Sequence, residues 1–299
     1  MRAAERGFLL LTCDFGDPER KSLTVPQLRT LASRMAMADR PLEDRELEVA
    51  DLLSLGYSAQ MAQRIVSLLS ERALLDHYLR RGKQCSCQAI SRISPGYPLR
   101  LRKRLGLDAP GCLWAKGDVS LLDGPKISLV GSRELRQENY NFAAEAGAQA
   151  AKQGYILVSG NARGADRTAQ EACLKNGGKV ICVVADNLEE KPIEGSILYL
   201  GEDGFDHAFS AQRALSRNRI IHALSGKTLI AQSSLSTGGT WDGSVKNLQN
   251  GWSDVFCFDD GSPAARALEQ MGATLIGIME LGNLQALVSD HMNFLSKDE

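Results

Sequence analysis

The sequence has no apolar run of the roughly 18 residues that a membrane-spanning helix needs. The run nearest to its start, Phe8–Leu11, is also too short for the hydrophobic region of a signal peptide, which takes about 7 to 15 residues. We therefore expect a cytoplasmic protein without a membrane partner. With 299 residues, of which 43% are hydrophobic and 24% charged, the chain is long enough for one large domain and a smaller one.

Cysteine and histidine are sparse, and neither forms a cluster. The seven cysteines are an odd number without the spacing of a disulfide framework, and only Cys85 and Cys87 lie close together. Four dispersed histidines complete no tetrahedral metal site and have no evident nucleophile beside them. We expect reduced thiols, no metal and no catalytic residue.

An excess of positive charge is also absent, since the net charge is −1, and this argues against a protein that coats nucleic acid through bulk charge. The charge is nevertheless uneven. Residues 71–104 hold nine basic and two acidic residues, whereas residues 250–299 hold two basic and eight acidic ones. Either a basic groove or a solvated charged loop accounts for the basic stretch.

The pattern of apolar residues changes near Lys126. Before it, helical spacing predicts helices over 25–35, 46–55 and 59–79. The stretch from Leu52 to Val66 has a helix, a turn at Gly56 and a second helix, which fits a helix-hairpin-helix or an ordinary helical corner. We predict a small helical domain over 1–80, a connector of extended chain and turns over 81–125, and an α/β domain over 126–299.

Short apolar runs alternate with helical stretches after Lys126. Five of them have the length and composition of buried strands: Lys126–Val130, Tyr155–Ser159, Lys179–Val184, Lys227–Ala231 and Asp254–Phe258. This alternation predicts a doubly wound, mostly parallel Rossmann-like sheet. Ligands of such sheets bind beyond the carboxyl ends of the strands.

Glycine, hydroxyl and arginine residues gather at three of these strand ends. Glycines let the backbone approach an anion, and hydroxyls and guanidinium groups donate to it. Alternatively, the glycines only make tight turns, Asp166 caps the next helix, and Arg133 pairs with Glu134 or Glu138. The candidate phosphate-binding residues are Gly131, Ser132 and Arg133, then Ser159, Gly160, Arg163, Gly164 and Asp166, and finally Ser236, Gly238, Gly239 and Thr240.

The triplet Arg217-Asn218-Arg219 opens an apolar helical run. Two guanidinium groups with an amide match phosphate oxygens, and the start of a helix adds its positive end. The alternative is a solvated helix start whose arginines pair with carboxylates. No G-x-G-x-x-G follows the first strand of the α/β segment and no Walker sequence is present, so neither a dinucleotide nor another cofactor is expected.

The ordered series of motifs resembles the DprA/Smf DNA-processing proteins over residues 80–275. It consists of Tyr97-Pro98, Leu113-Trp114 with Gly117, Val130–Arg133, Ser159-Gly160, Ala162–Asp166, Gly177-Gly178 and Arg217–Ile221. The resemblance implies an extended Rossmann-type domain that binds single-stranded DNA without sequence preference. It also implies a homodimer that delivers strands to a RecA-type recombinase in natural transformation. The candidate residues given above are the positions to which it assigns the DNA pocket.

The sequence departs from the family pattern at Gln170, Gln232 and the turn that leads into Trp241-Asp242. We also expect no winged-helix tail. These departures indicate a divergent branch, with defence against foreign DNA as a second pathway. Two other functions stay open. One is a nucleoside-monophosphate phosphoribohydrolase-like enzyme with Asp242 as its acid, and the other is a sensor of a free nucleotide.

Overall fold

The computed structural model describes residues 1–17, 19–38, 46–202 and 204–289. The chain folds as two compact units. The first consists of Met1–Tyr97, Pro110–Trp114 and Glu202–Phe205, and the second of Pro98–Ala109, Ala115–Gly201 and Asp206–Glu299. Residues 81–125, which the sequence predicts to be a connector, are divided between the two units. Residues 290–299 of the predicted α/β domain lie outside the described residues.

Five helices and one strand form most of the first unit. The predicted helix over 59–79 is wrong as one element, because the backbone leaves helical geometry at Glu71 with ψ 38°. The carboxylate of Glu71 accepts from the buried Arg20 at 2.7 Å, which fixes the chain at this break. The elements are α1 Ala3–Thr12, α2 Val25–Ala36, α3 Val49–Ser54, α4 Ala59–Ser70, α5 Arg72–Gln84 and β1 Cys87–Ser91.

The turn between α3 and α4 has the predicted glycine at its centre. Gly56 adopts φ +80°, a conformation that is open to glycine at little cost, and the hydroxyl of Ser58 accepts from the amide of Met61 at 3.3 Å to begin α4. The core beneath this corner consists of buried apolar residues, namely Leu11, Leu23, Leu31, Leu52, Ala62, Ile65 and Leu68. The packing accounts for the corner without a ligand.

The second unit contains a parallel sheet. Its strands are β3 Lys126–Val130, β4 Ile156–Ser159, β5 Lys179–Val183, β6 Ile197–Glu202, β7 Lys227–Ile230, β8 Asp254–Phe258 and β9 Thr274–Ile276. Their order in the sheet is β6-β5-β4-β3-β7-β8-β9. Two strands, β2 Cys112–Gly117 and β6, have residues in both units. The predicted α/β class and the parallel arrangement are confirmed. Strands β6 and β9 were not predicted; β6 follows a loop with Pro192 and Gly195, and β9 has only three residues.

Helices of the second unit are α6 Leu99–Leu105, α7 Gln137–Lys152, α8 Ala165–Lys175, α9 Ala211–Ser216, α10 Asn218–Leu224, α11 Gly238–Asn250 and α12 Pro263–Gln270. Strand β3 is central, with β4 on one side and β7 on the other. Ser128 of β3 pairs with Val158 of β4 and with Thr228 of β7. The chain adds β4, β5 and β6 on one side of β3 and then β7, β8 and β9 on its other side. This reversal of strand order makes a crevice at the carboxyl end of β3. None of the helices in the described ranges is long and apolar enough to span a membrane.

Helices α7 and α8 pack at very close range through Gly147. A Cβ atom at this position would overlap the carbonyl oxygen of Ala169 and lie 2.8 Å from its carbonyl carbon. These are backbone atoms of α8, so no side-chain rotation relieves the overlap. Glycine at 147 therefore sets the separation of the two helices.

We expect Gly147→Ala to destabilise the second unit. Overpacking of this kind costs about 1–3 kcal/mol or more, which exceeds the roughly 1 kcal/mol that alanine contributes in a helix. Urea denaturation gives the change in the free energy of unfolding. Gly195→Ala is the control, because its Cβ would have no neighbour within 4 Å. Equal stability of the two variants would contradict this account of the helix contact.

Candidate functional site

A cavity of about 770 Å³ opens at the carboxyl ends of β3, β4 and β7. The loops after these three strands line it, together with α9, α10 and the start of α11. Ten of the predicted residues lie around this one cavity: Gly131, Ser132, Arg133, Arg163, Asp166, Arg217, Asn218, Gly238, Gly239 and Thr240. The structure thus brings together four segments that are well separated in the sequence.

Arg217 lies beneath the loop that follows β4. Its side chain is buried, and Nη2 donates to the carbonyl oxygen of Gly160 at 2.9 Å. A Cβ atom at Gly160 would overlap the guanidinium group, so glycine is required for this approach. Nε of Arg217 is buried and has no hydrogen-bond partner among the described residues. The guanidinium group therefore retains one donor that no described residue uses.

Asp166 holds the same loop from the other side. Its buried carboxylate accepts from the amides of Gly160 at 3.1 Å and Ala162 at 3.2 Å. Burial raises the pKa of Asp166, and the charge of Arg217 opposes that rise. The alternative that Asp166 caps the helix is wrong, because α8 begins at Ala165 with Gly164 as its N-cap residue. Asp166 shapes the loop instead.

Gly164 joins the loops after β3 and β4. It adopts φ +84°, and a Cβ atom there would overlap the carbonyl oxygen of Ser132. That oxygen accepts from the amide of Ala165 at 3.1 Å. Gly164 thus lies behind the cavity wall rather than on it, and it allows the two loops to pack backbone against backbone.

Arg133 and Arg163 are exposed at the mouth of the cavity. Arg163 forms an ion pair with Glu134 at 3.3 Å, but both side chains are at least 75% exposed, so the pair contributes little. Arg133 makes no hydrogen bond or ion pair within the described ranges. The alternative that Arg133 pairs with Glu134 or Glu138 is wrong, since Arg163 and Arg136 occupy those carboxylates. The charge of Arg133 remains available to a ligand.

Arg219 points away from the other arginines. Nε donates to the carbonyl oxygen of Asp108 at 3.0 Å, and Nη1 donates to the carbonyl oxygen and hydroxyl of Ser216 at 2.6 Å. It lines a neighbouring cavity of about 280 Å³ together with Lys246 and Trp252. The triplet therefore sends its two arginines to two different cavities.

Two further predicted residues do not line the main cavity. Ser159 is fully buried, and its hydroxyl accepts from Nε2 of Gln170. Ser236 has φ +57° in the turn before α11. Asp242, the candidate acid of a phosphoribohydrolase, is likewise outside the lining; it forms an ion pair with Lys246 at 2.9 Å on the exposed side of α11.

Gln232 also lines the cavity, although the sequence marks it only as a departure from the family pattern. Its side chain accepts from the amide of Arg136 at 3.0 Å and donates to the carbonyl oxygen of Glu134 at 3.1 Å. Its own carbonyl oxygen accepts from the amide of Ser132 at 3.0 Å. Gln232 thus positions the loop after β3. Its place just beyond the carboxyl end of β7, where ligands of parallel sheets bind, is the sequence feature that indicates a role at the site.

Several other lining residues were missed, among them Phe209, Leu215 and His222. Phe209 and Leu215 are 58% and 47% exposed, and no periodic pattern distinguishes an exposed apolar residue of this kind from a core residue. His222 is buried on α10. Burial lowers its pKa from 6.5 to about 3, and the charge of Arg217 acts in the same direction.

Known proteins support this architecture. The family model of DNA recombination-mediator protein A matches residues 88–250. DNA processing protein DprA of Streptococcus pneumoniae is 33% identical over 141 residues, which are 44% of this chain and 50% of that protein. Protein Smf of Escherichia coli is 27% identical over 203 residues, or 64% of this chain and 53% of that protein. The chain thus spans about half the length of the curated relatives that it matches.

Two solved structures share the fold. The X-ray structure of DprA from Streptococcus pneumoniae has a TM-score of 0.62 at 25% identity, covering 86% of this chain and 95% of that one. The DprA structure from Helicobacter pylori, described for its single-stranded DNA binding mode, has a TM-score of 0.55 at 24% identity and covers 71% of this chain and 96% of that one.

The low pKa of His222 predicts a loss of stability in acid. Between pH 6.5 and about 3, the unfolded chain binds a proton at this residue that the folded chain does not bind. The free energy of unfolding therefore decreases as the pH falls through this window, by up to about 1.4 kcal/mol per pH unit. His222→Asn removes the titrating group and should reduce that slope. Urea denaturation between about pH 7 and pH 4.5 measures it, and an unchanged slope in the variant would contradict the assignment.

Proposed function

Because the chain belongs to the DNA recombination-mediator protein A (DprA) family, whose model spans more than half of its residues, we propose that it binds single-stranded DNA without sequence preference. The observation that carries the proposal is the cavity of about 770 Å³ at the carboxyl end of β3. Every residue that lines this cavity lies within the matched part of the chain. The proposed binding residues are the fifteen candidates of the sequence analysis, with the ten lining residues in direct contact.

The cations around the cavity suit a phosphate backbone. Arg133 is exposed and has no carboxylate partner in the described part of the chain, and Arg163 is held only by an exposed ion pair. Arg217 supplies a third, buried guanidinium to the lining, and its Nε has no hydrogen-bond partner among the described residues. Guanidinium groups bind phosphate through charge-assisted hydrogen bonds, so these three arginines would bind the backbone and not the base sequence.

The apolar residues at the mouth suit bases. Phe209 is 58% exposed and Leu215 47% exposed on the edge of the same cavity. Aromatic rings bind unpaired bases by stacking, and this contact is tolerant of sequence because every base has a flat face. A duplex conceals these faces, so the combination favours a single strand.

The two cavities favour a strand over a free nucleotide. The cavity that Arg219 lines shares Leu215 and Asn218 with the main cavity. We propose that a strand continues from one into the other, which gives Arg219 and Lys246 a place beside the next phosphate. Ser159, Gly160, Gly164 and Ser236 contribute in this proposal by holding the loops.

The wider role is proposed from family membership. We propose that the protein acts as a cytoplasmic homodimer that protects single strands or passes them to a RecA-type recombinase. The two pathways that we consider for this step are natural transformation and defence against foreign DNA. Comparison of recombinase filament formation on coated strands, with and without the protein, tests the transfer.

We expect a single-stranded oligonucleotide of about twelve nucleotides to bind far more tightly than the same duplex or a mononucleotide. The logarithm of the binding constant should fall with the logarithm of salt concentration by about 0.7 for each phosphate neutralised. Fluorescence anisotropy at several salt concentrations measures both. Equal affinity for a mononucleotide would favour the nucleotide sensor, and release of free base would favour the phosphoribohydrolase.

Arg133→Ala should weaken binding of the oligonucleotide by about 1.5–3 kcal/mol, or roughly 10- to 150-fold, because a charge-assisted hydrogen bond to phosphate is lost. The salt dependence should lose about 0.7 from its slope. The melting temperature should stay unchanged, since the side chain has no partner in the described residues.

Lys175→Ala is the matched control, because Lys175 is an exposed cation of the same unit at the far end of α8. It should bind the oligonucleotide like the unmodified protein. A loss of affinity of the same size in both variants would mean that only the general charge of the unit matters, and the assignment of the cavity would then be wrong.

A further inference from the structure

His222 lies in the floor of the main cavity and has an unusual set of neighbours. The residue is 1% exposed, lies on α10 and is one of the residues that line the cavity. Nδ1 is 3.2 Å from Nδ2 of Asn247 and 3.3 Å from the hydroxyl of Thr228. Nε2 makes no hydrogen bond within the described part of the chain. One ring nitrogen therefore belongs to an internal network and the other does not.

The backbone determines which way the internal network runs. The amide N–H of Ser253 can only donate, and it donates to Oδ1 of Asn247 at 2.9 Å. Nδ2 of Asn247 must then face His222 and the hydroxyl of Ser253, which lies at 2.9 Å. Because an amide NH₂ group only donates, Nδ1 of His222 is an acceptor.

A neutral imidazole whose Nδ1 accepts carries its proton on Nε2. The lowered pKa of His222 keeps the ring neutral at physiological pH. Nε2 points toward Gly243, where a Cβ atom would lie only 3.1 Å away. Glycine at 243 thus leaves space beside Nε2, next to the side chain of Asn218, and both Asn218 and His222 line the main cavity.

We propose that His222 is a binding residue whose Nε2–H group donates a hydrogen bond to a phosphate oxygen of the bound nucleic acid. The proposal rests on the proposed function of the cavity. Phosphate is the acceptor because His222 and Arg217 are the buried lining residues, whereas the apolar residues that suit bases, Phe209 and Leu215, are exposed. The group is a donor without charge, so its contribution does not depend on salt or on pH above about 5.

Two substitutions separate binding from structure, because each retains one half of the imidazole. His222→Gln can place an amide NH₂ near the Nε2 position, but it loses the acceptor for Asn247. His222→Asn can retain an acceptor at the Nδ1 position, but it has no group that reaches the Nε2 position. We expect the Gln variant to bind the oligonucleotide within about threefold of the unmodified protein and the Asn variant to bind about tenfold more weakly.

Stability should follow the opposite order. The Asn variant keeps the internal hydrogen bond and should unfold at a higher urea concentration than the Gln variant. If His222 were only a structural residue, affinity would follow stability and the Asn variant would be the tighter binder. That result, or equal affinity of all three proteins, would overturn the proposal.

A second measurement separates this proposal from the function of the cavity. Nitrogen-15 NMR of histidine-labelled protein reports the tautomer directly, and the spectrum of His222→Asn assigns the resonance among the four histidines. We expect a protonated Nε2 from about pH 5 to pH 8 whose signal shifts when inorganic phosphate is added. A proton on Nδ1, or no shift at a phosphate concentration that saturates the cavity, would overturn the proposal.

The oligonucleotide arm tests the proposed function separately. If the unmodified protein binds phosphate with the Nε2 shift but does not bind the single strand, the DNA proposal fails, and of the His222 proposal only the hydrogen bond from Nε2–H to phosphate stands. If the strand binds and the Nε2 signal does not move, the DNA proposal stands and the His222 proposal fails.

Discussion

The buried guanidinium group of Arg217 is the constraint on which the candidate site depends. It lies beneath the loop after β4, donates to the carbonyl oxygen of Gly160 and is close enough to influence the pKa values of both Asp166 and His222. Removing a charge from water costs several kcal/mol unless other groups compensate. Here the compensation comes from the loop carbonyl and from Asp166, so the loop, the start of α8 and the start of α10 are held in one arrangement.

Backbone contacts between loops transmit this arrangement to the rest of the cavity. Gly164 packs against the carbonyl oxygen of Ser132, and Ser132 in turn donates to the carbonyl oxygen of Gln232. Such contacts leave no space for side chains, which is why Gly160 and Gly164 are required although neither lines the cavity. The lining includes arginines, hydroxyl groups and two exposed apolar residues, a combination that fits a flexible polyanion with unpaired bases.

The loops could be anticipated from the sequence because each follows a short buried strand, and a parallel sheet brings its carboxyl ends to one edge. The roles of individual residues could not. Asp166 has the spacing of a helix cap but holds the loop amides instead. Arg219 is a phosphate-binding candidate whose guanidinium donates to Asp108 and Ser216. Phe209 and His222 carry no sequence signal, since exposed phenylalanine and buried histidine are each compatible with many environments.

The α/β class, the parallel strands around β3 and the positions of the glycine-rich loops follow from the sequence alone, because apolar period, strand length and turn residues are local properties. The direction of each side chain and the tautomer of His222 follow from tertiary packing. Arg217 contacts a carbonyl group 57 residues away, and the tautomer of His222 follows from Asn247, 25 residues away. Such contacts depend on how distant segments pack, and no local pattern records them.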